Sequence, residues 1–170
     1  MRITLTPHIR ACADKAITGA LGKPWAPLGR GPDSFDCWGF VVYVYKAAGI
    51  LLPSAPMPDP CYDIRAVATE NGLRVERAAH RTPYSIVLMG KMGTFGHVGI
   101  YHPSGTVYHC LDRQGVSGHS VQTLQGIFAD IEYWSVTDDL RCTPSESVCP
   151  HEGQQHLRRE LRDYPRCVES

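Results

Sequence analysis

A cysteine in Asp36-Cys37-Trp38-Gly39-Phe40 and two histidines set twelve residues apart, His97 and His109, are the residue types of a thiol hydrolase. The cysteine stands between the turn-forming Gly31-Pro32-Asp33-Ser34 and an apolar run, which places it in the first turn of a buried helix. Backbone N–H groups without intrahelical acceptors and the helix dipole favour negative charge there, so this thiol is expected to ionise more easily than a free one. His97 belongs to Gly96-His97-Val98-Gly99-Ile100-Tyr101, an alternating stretch, and Pro103-Ser104-Gly105 signals a turn before a second stretch, Thr106 to Leu111. A turn centred near Pro103 sets His97 and His109 opposite or nearly opposite on paired strands, where Cβ atoms lie roughly 4.5–5.5 Å apart. One imidazole can then orient the other.

The chemistry that follows is a relay with Cys37 as nucleophile, His97 as base and later acid, and His109 as the orienting group. A thiolate–imidazolium pair is expected, with backbone N–H groups at the helix start, that of Cys37 included, receiving the oxyanion. Gly39 and Gly99 keep the surroundings small enough for a substrate backbone to approach. Each residue alone has a plainer reading, since a cysteine before an aromatic packs in cores and a strand histidine is commonly a satisfied or surface group. The conjunction of helix start, spacing and cross-strand partner is what points to catalysis.

The elements that must position these groups are legible in the same way. Residues 8–21 have helical spacing, with Ile9, Ala13, Ala16, Ile17 and Ala20 on one face and Gly22 as the stop. The Pro/Gly-rich stretch 23–32 reads as an ordered loop. Asp33 or Ser34 can cap the next helix, whose face is Phe40, Val41, Val44, Tyr45 and Ala48, closed by Gly49. A third helix is expected from Asp63 to Asn71, ended by Gly72. Strands follow at Ser85–Met89, His97–Tyr101, Thr106–Leu111, Val116–Val121 and Ile131–Val136, with a flexible link from Gly90 to Gly96 and a helical piece around Leu124–Phe128. Helices followed by a meander of strands predict an α+β fold, N-terminal helices packed on an antiparallel sheet.

At 170 residues the chain reads as one domain over 1–136 and a C-terminal tail over 137–170. Seventeen basic and seventeen acidic side chains leave no net charge, which argues against nucleic acid or an anionic membrane as partner. No apolar run reaches the 18 residues of a membrane span. The N-terminus lacks the apolar core of a signal peptide, so synthesis and assembly in a cytoplasm are expected. Seven cysteines without a C-x-x-C pair predict reduced thiols rather than a disulfide scaffold.

Arg30-Gly31-Pro32-Asp33-Ser34-Phe35-Asp36-Cys37-Trp38-Gly39 resembles the R-G-P-D-x-F-D-C-W-G block of the NlpC/P60 family of papain-like cell-wall peptidases, in the branch found in bacteriophage tails. Gly96-His97-Val98-Gly99-Ile100-Tyr101 resembles that family's G-H-V-G-I-Y strand, and Val107-Tyr108-His109 matches the position of its third catalytic residue. The likeness runs from about Pro24 to Trp134. It implies a papain-like fold and hydrolysis of peptidoglycan stem peptides, at the bond between D-glutamate and a diamino acid. By position it implies Cys37, His97 and His109 as triad, Asp36 as a contact for a substrate amine, and Trp25 and Trp38 beside the substrate. Trp38 stands where most of the family has serine, and Trp25 where it often has tyrosine. An indole N–H donates but has no hydroxyl to accept.

The tail carries Cys142, Cys149, His151, His156 and Cys167, residue types that ligate zinc or iron–sulfur clusters, at irregular spacing. The other reading of this segment, with no cofactor, is a tail that orders against partner proteins. The setting expected from the resemblance is a phage or prophage tail tip, with peptidoglycan and other tail-tip or hub proteins as partners and the virion as location. Two alternatives stand beside it: a structural tail-tip assembly protein with residual or occluded activity, and a related thiol amidase or acyltransferase.

Overall fold

The order of apolar faces builds three helices before the first long strand. The structure is a computed structural model and describes residues 5–53, 63–70, 72–78 and 80–137. Helix α1 spans Pro7–Ala20; the Thr6 hydroxyl caps it by accepting from the Ile9 amide, and Pro7 occupies the first turn, where no N–H is needed. Its small buried face, Ala13, Ala16, Ile17 and Ala20, allows close packing on helix α2, Cys37–Ala47. Helix α2 buries Trp38, Gly39, Phe40, Val41, Val44 and Tyr45, and is apolar nearly all round because it runs through the centre of the molecule. Helix α3, Ile64–Glu70, falls within the predicted 63–71.

Six antiparallel strands form one sheet: β1 (Val75–Arg77), β2 (Ile86–Lys91), β3 (Thr94–Tyr101), β4 (Thr106–Leu111), β5 (Gly115–Ser120) and β6 (Asp130–Val136). Their order is β1-β6-β2-β3-β4-β5, with β6 returning to pair with β2 through Ile86↔Trp134 to Gly90↔Asp130. One face of the sheet, with Leu88, Val98, Ile100, Cys110 and Val116, packs on α1 and α2. The opposite face holds a smaller cluster of Val87, Met89 and Val107 beneath Val121 and Leu124 of helix α4, Val121–Gln125. This is the α+β arrangement expected, with helices laid on an antiparallel sheet.

Three local readings need correction. The cap of α2 is Asp36, one residue before Cys37, rather than Asp33 or Ser34, because those two sit in the turn closed by the Gly31 N–H to Ser34 carbonyl bond. The segment 90–96 is no flexible link. Met92 and Gly93 make a two-residue turn with φ of 53° and 76°, the left-handed pair that matches strand twist, and the residues around them are strand. Strand β1 was not anticipated, since three residues, Val75-Glu76-Arg77, are too short to show alternation. Cys142, Cys149, His151 and Cys167 lie outside the described residues.

The loop between α1 and α2 is ordered by backbone bonds: Phe35 N–H to Pro24, Ala26 N–H to Phe35 and Asp36 N–H to Gly29, while Gly22 and Lys23 bond Val116 of β5. Gly39 makes this possible, because a Cβ there would stand 1.8 Å from the Gly29 carbonyl oxygen. Gly39→Ala is therefore expected to destabilise the fold by roughly 1–3 kcal/mol in urea denaturation, the usual range for overpacking. A change within about 0.5 kcal/mol would show that the loop yields freely.

Candidate active site

Strands β3 and β4 pair over only three residues, Gly99↔His109, Ile100↔Tyr108 and Tyr101↔Val107. Beyond Gly99↔His109 the ladder stops, and the start of α2 meets both strands there. The Val98 backbone there hydrogen-bonds the Cys37 sulfur, and Cys110 donates its thiol to the Phe35 carbonyl at 3.2 Å. Cys37 thus meets β3 at the residue following His97.

His97 and His109 do meet, but not by the expected pairing. The hairpin is centred on Ser104, midway between the paired Tyr101 and Val107, one residue later than Pro103. The residue across from His109 is therefore Gly99, and His97 reaches His109 diagonally, Nε2 to Nδ1 at 2.7 Å. Gly99 permits this. A Cβ there would meet the Tyr108 carbonyl oxygen at 2.7 Å and the His109 Cβ at 3.0 Å. The bond uses Nε2 of His97 and leaves Nδ1 as the ring nitrogen outside it. The ring of Phe128 stacks on His97, centroids 5.5 Å apart and 9° from parallel.

The electrostatics differ from the expected ion pair. Burial, and after it the Asp36 carboxylate, pushes the Cys37 thiol up to about 12, against hydrogen bonds from the Trp38 and Val98 backbone that pull it down. Burial, and then the neighbouring His109, pushes His97 down to about 3. Burial, and then His119, lowers His109 to about 4. These shifts favour a protonated thiol and neutral imidazoles at rest. A helix terminus stabilises an adjacent anion by about 0.3–1 kcal/mol, too little to offset desolvation of a buried charge.

Of the expected substrate contacts, the structure leaves only Trp25 partly open, at 36% exposure, its backbone bridged to Phe35. Trp38 is wholly buried, with its indole N–H on the Pro53 carbonyl at 2.9 Å, so it offers a substrate no surface. Asp36 is buried too: one carboxylate oxygen accepts the Gly39 N–H and the other accepts from Arg30. It caps the helix and pairs with Arg30, so both oxygens already have partners within the chain.

Two neighbours escaped the sequence reading. Phe128 follows α4, and no local pattern ties it to His97. His119 on β5 lies diagonal to His109, whose Nε2 is 2.8 Å from His119 Nδ1. Its signal was the meander itself, since the register Val107↔His119 puts it on the His109 face. The described cysteines, Cys12, Cys37 and Cys110, are free thiols.

The model of the NlpC/P60 family matches residues 22–136. A probable endopeptidase p60 from Listeria grayi is 28% identical over 106 residues, which are 62% of this chain and 18% of that protein. The chain thus spans under a fifth of that relative. The crystal structure of the NlpC/p60 domain of the peptidoglycan hydrolase SagA superimposes with a TM-score of 0.53 at 22% identity, covering 75% of this chain and 97% of that one. An NlpC/P60 family protein from Bacillus cereus gives a TM-score of 0.54 at 25% identity, over 72% of this chain and 39% of its own.

Two outcomes follow from the charges. Because His97 and His109 stay neutral in the fold well below the ordinary histidine range, the unfolded chain binds more protons as pH falls from about 6.5 toward 4. Stability should drop through that window, by up to about 1.4 kcal/mol per pH unit for each group, in urea titrations; a flat profile would contradict the buried neutral pair. Asp36→Asn keeps the cap but removes the carboxylate charge, so Cys37 should be alkylated by iodoacetamide at lower pH than in the native chain. An unchanged or raised pH would contradict the role of Asp36 as the charge opposing the thiolate.

Proposed function

The chain belongs to the NlpC/P60 family, and from that premise we propose that it is a cysteine endopeptidase acting on peptidoglycan stem peptides. The observation that carries the proposal is that the Cys37 sulfur bonds the backbone of Val98, the residue next to His97, whose Nε2 lies 2.7 Å from His109 Nδ1. In this reading the Cys37 sulfur attacks the scissile carbonyl carbon as Nδ1 of His97 takes the thiol proton. The N–H of Cys37, at a helix turn without intrahelical acceptors, receives the oxyanion. His97 then returns the proton to the leaving amine, and water hydrolyses the thioester by the same route. His109 holds His97 by its Nε2 throughout.

The finer setting is a phage or prophage tail tip, opening the wall during genome delivery, with cleavage between D-glutamate and a diamino acid. Its support is the Arg30-to-Gly39 block with Trp38 after the cysteine. The buried Trp38 also helps to explain why an aromatic is tolerated there: it fills the core and bonds Pro53. A second reading, a structural tail component with an occluded site, draws on Phe128 covering one face of His97.

Purified full chain should cleave stem peptides, read by mass spectrometry, and Cys37→Ala should not. His97→Ala and His109→Ala should lower the rate by about 10²-fold or more. Cleavage that survives Cys37→Ala would exclude the thiol mechanism. Absence of cleavage by the native chain, with tight binding to neighbouring tail proteins, would favour the structural reading.

A further inference from the structure

We propose that His119 is the solvent-side end of a three-imidazole relay, through which the positive charge created when Cys37 loses its proton is carried out of the buried site. The inference rests on Cys37 acting as nucleophile. His119 touches no reacting atom and acts through His109 and His97, as a positioning residue.

The geometry is continuous. His97 Nε2 lies 2.7 Å from His109 Nδ1, and His109 Nε2 lies 2.8 Å from His119 Nδ1. Successive rings are edge to face with centroids 5.0 Å apart. Along the relay His97 is 9% exposed, His109 is fully buried and His119 is half-buried, so the path passes through the deepest ring before it reaches the most open one. With His97 Nδ1 kept free as the base, each ring must carry its proton on Nε2. His97 then donates to His109, His109 donates to His119, and His119 turns its own N–H outward.

A proton arriving at His97 Nδ1 from the Cys37 thiol would leave an imidazolium inside the protein, where burial opposes it. Two short transfers remove that cost. The His97 Nε2 proton passes to His109 Nδ1, and the His109 Nε2 proton passes to His119 Nδ1. The positive charge now rests on His119, while His97 is neutral and holds on Nδ1 the proton that the leaving amine requires. When that amine takes it, both transfers reverse and the chain returns to its first state. No proton is gained or lost, and no external reactant is needed.

The groups around the relay support this direction. The charges acting on His97 and His109 are those of the next imidazole along, His109 and His119 respectively. The cross-strand neighbours Ser117, opposite His109, and Val107, opposite His119, bring no charge, and neither does Phe128 over His97. The anions of the site, the Cys37 thiolate and the Asp36 carboxylate, attract the charge inward, and desolvation at His97 and His109 opposes that pull.

The test needs no peptide substrate, so its failure is distinct from a failure to cleave. Alkylation of Cys37 by iodoacetamide in the full chain is followed across pH by peptide-level mass spectrometry, in native protein, His119→Gln and His119→Phe. Gln keeps an acceptor for the His109 N–H but cannot take a proton, so both variants should react about tenfold more slowly at pH 7, with the profile moved up by about one pH unit. A native profile in His119→Gln would reduce His119 to a hydrogen-bond acceptor and overturn the relay. Nitrogen-15 NMR of the native chain gives a second reading: on acidification, His109 should move its proton from Nε2 to Nδ1. A His109 that keeps one tautomer throughout that titration would also overturn it.

Discussion

The early end of the β3–β4 ladder is the constraint on which the site depends. Here pairing stops at Gly99↔His109, and just beyond it the Val98 backbone bonds the Cys37 sulfur while the Cys110 thiol bonds the Phe35 carbonyl. The helix start is fixed to both strands by these sulfur bonds. The ordered loop 22–36 holds it there through bonds to β5 and to its own residues, and Gly39 gives that loop room to lie against the first turn. A displacement of this loop would be transmitted directly to the thiol.

Packing against the strands also sets the electrostatics. A thiol packed there is desolvated, and the carboxylate that caps its helix adds a negative charge; Arg30, bonded to that carboxylate, balances it in part. The helix dipole is the smaller effect. Reactivity therefore depends on moving a proton and its charge away from the sulfur, more than on a thiolate held ready in advance. The row of bonded imidazoles from His97 through the buried His109 to His119 is the path proposed for that charge, and the diagonal step across Gly99 brings its first two rings within bonding distance.

Much of this was legible in the sequence. The helices α1 and α2, the strand Thr106–Leu111 and the α+β order followed from periodicity and stop signals, because each presents a long apolar face to one core. The spacing of His97 and His109 correctly placed them on neighbouring strands. What failed were quantities that local sequence does not specify: a hairpin centre off by one residue, which turned an opposed pair into a diagonal one, and the balance between dipole and desolvation at Cys37. Trp38 and Asp36 read as substrate contacts because they flank the cysteine, yet helical geometry turns one into the core and makes the other the cap. His119 was visible as a residue of an expected strand, but its bond to His109 needed the register. Phe128 over His97 needed the full tertiary fold.

The central claim, that the helix start held against β3 and β4 makes Cys37 the nucleophile of a peptidase, is tested most directly by catching the covalent intermediate. Full-length protein mixed with a stem peptide and quenched in acid within its first turnover should gain the mass of the acyl half of that peptide. Fragmentation should place that mass on Cys37. Product formed with no adduct, or an adduct on another residue, would contradict it.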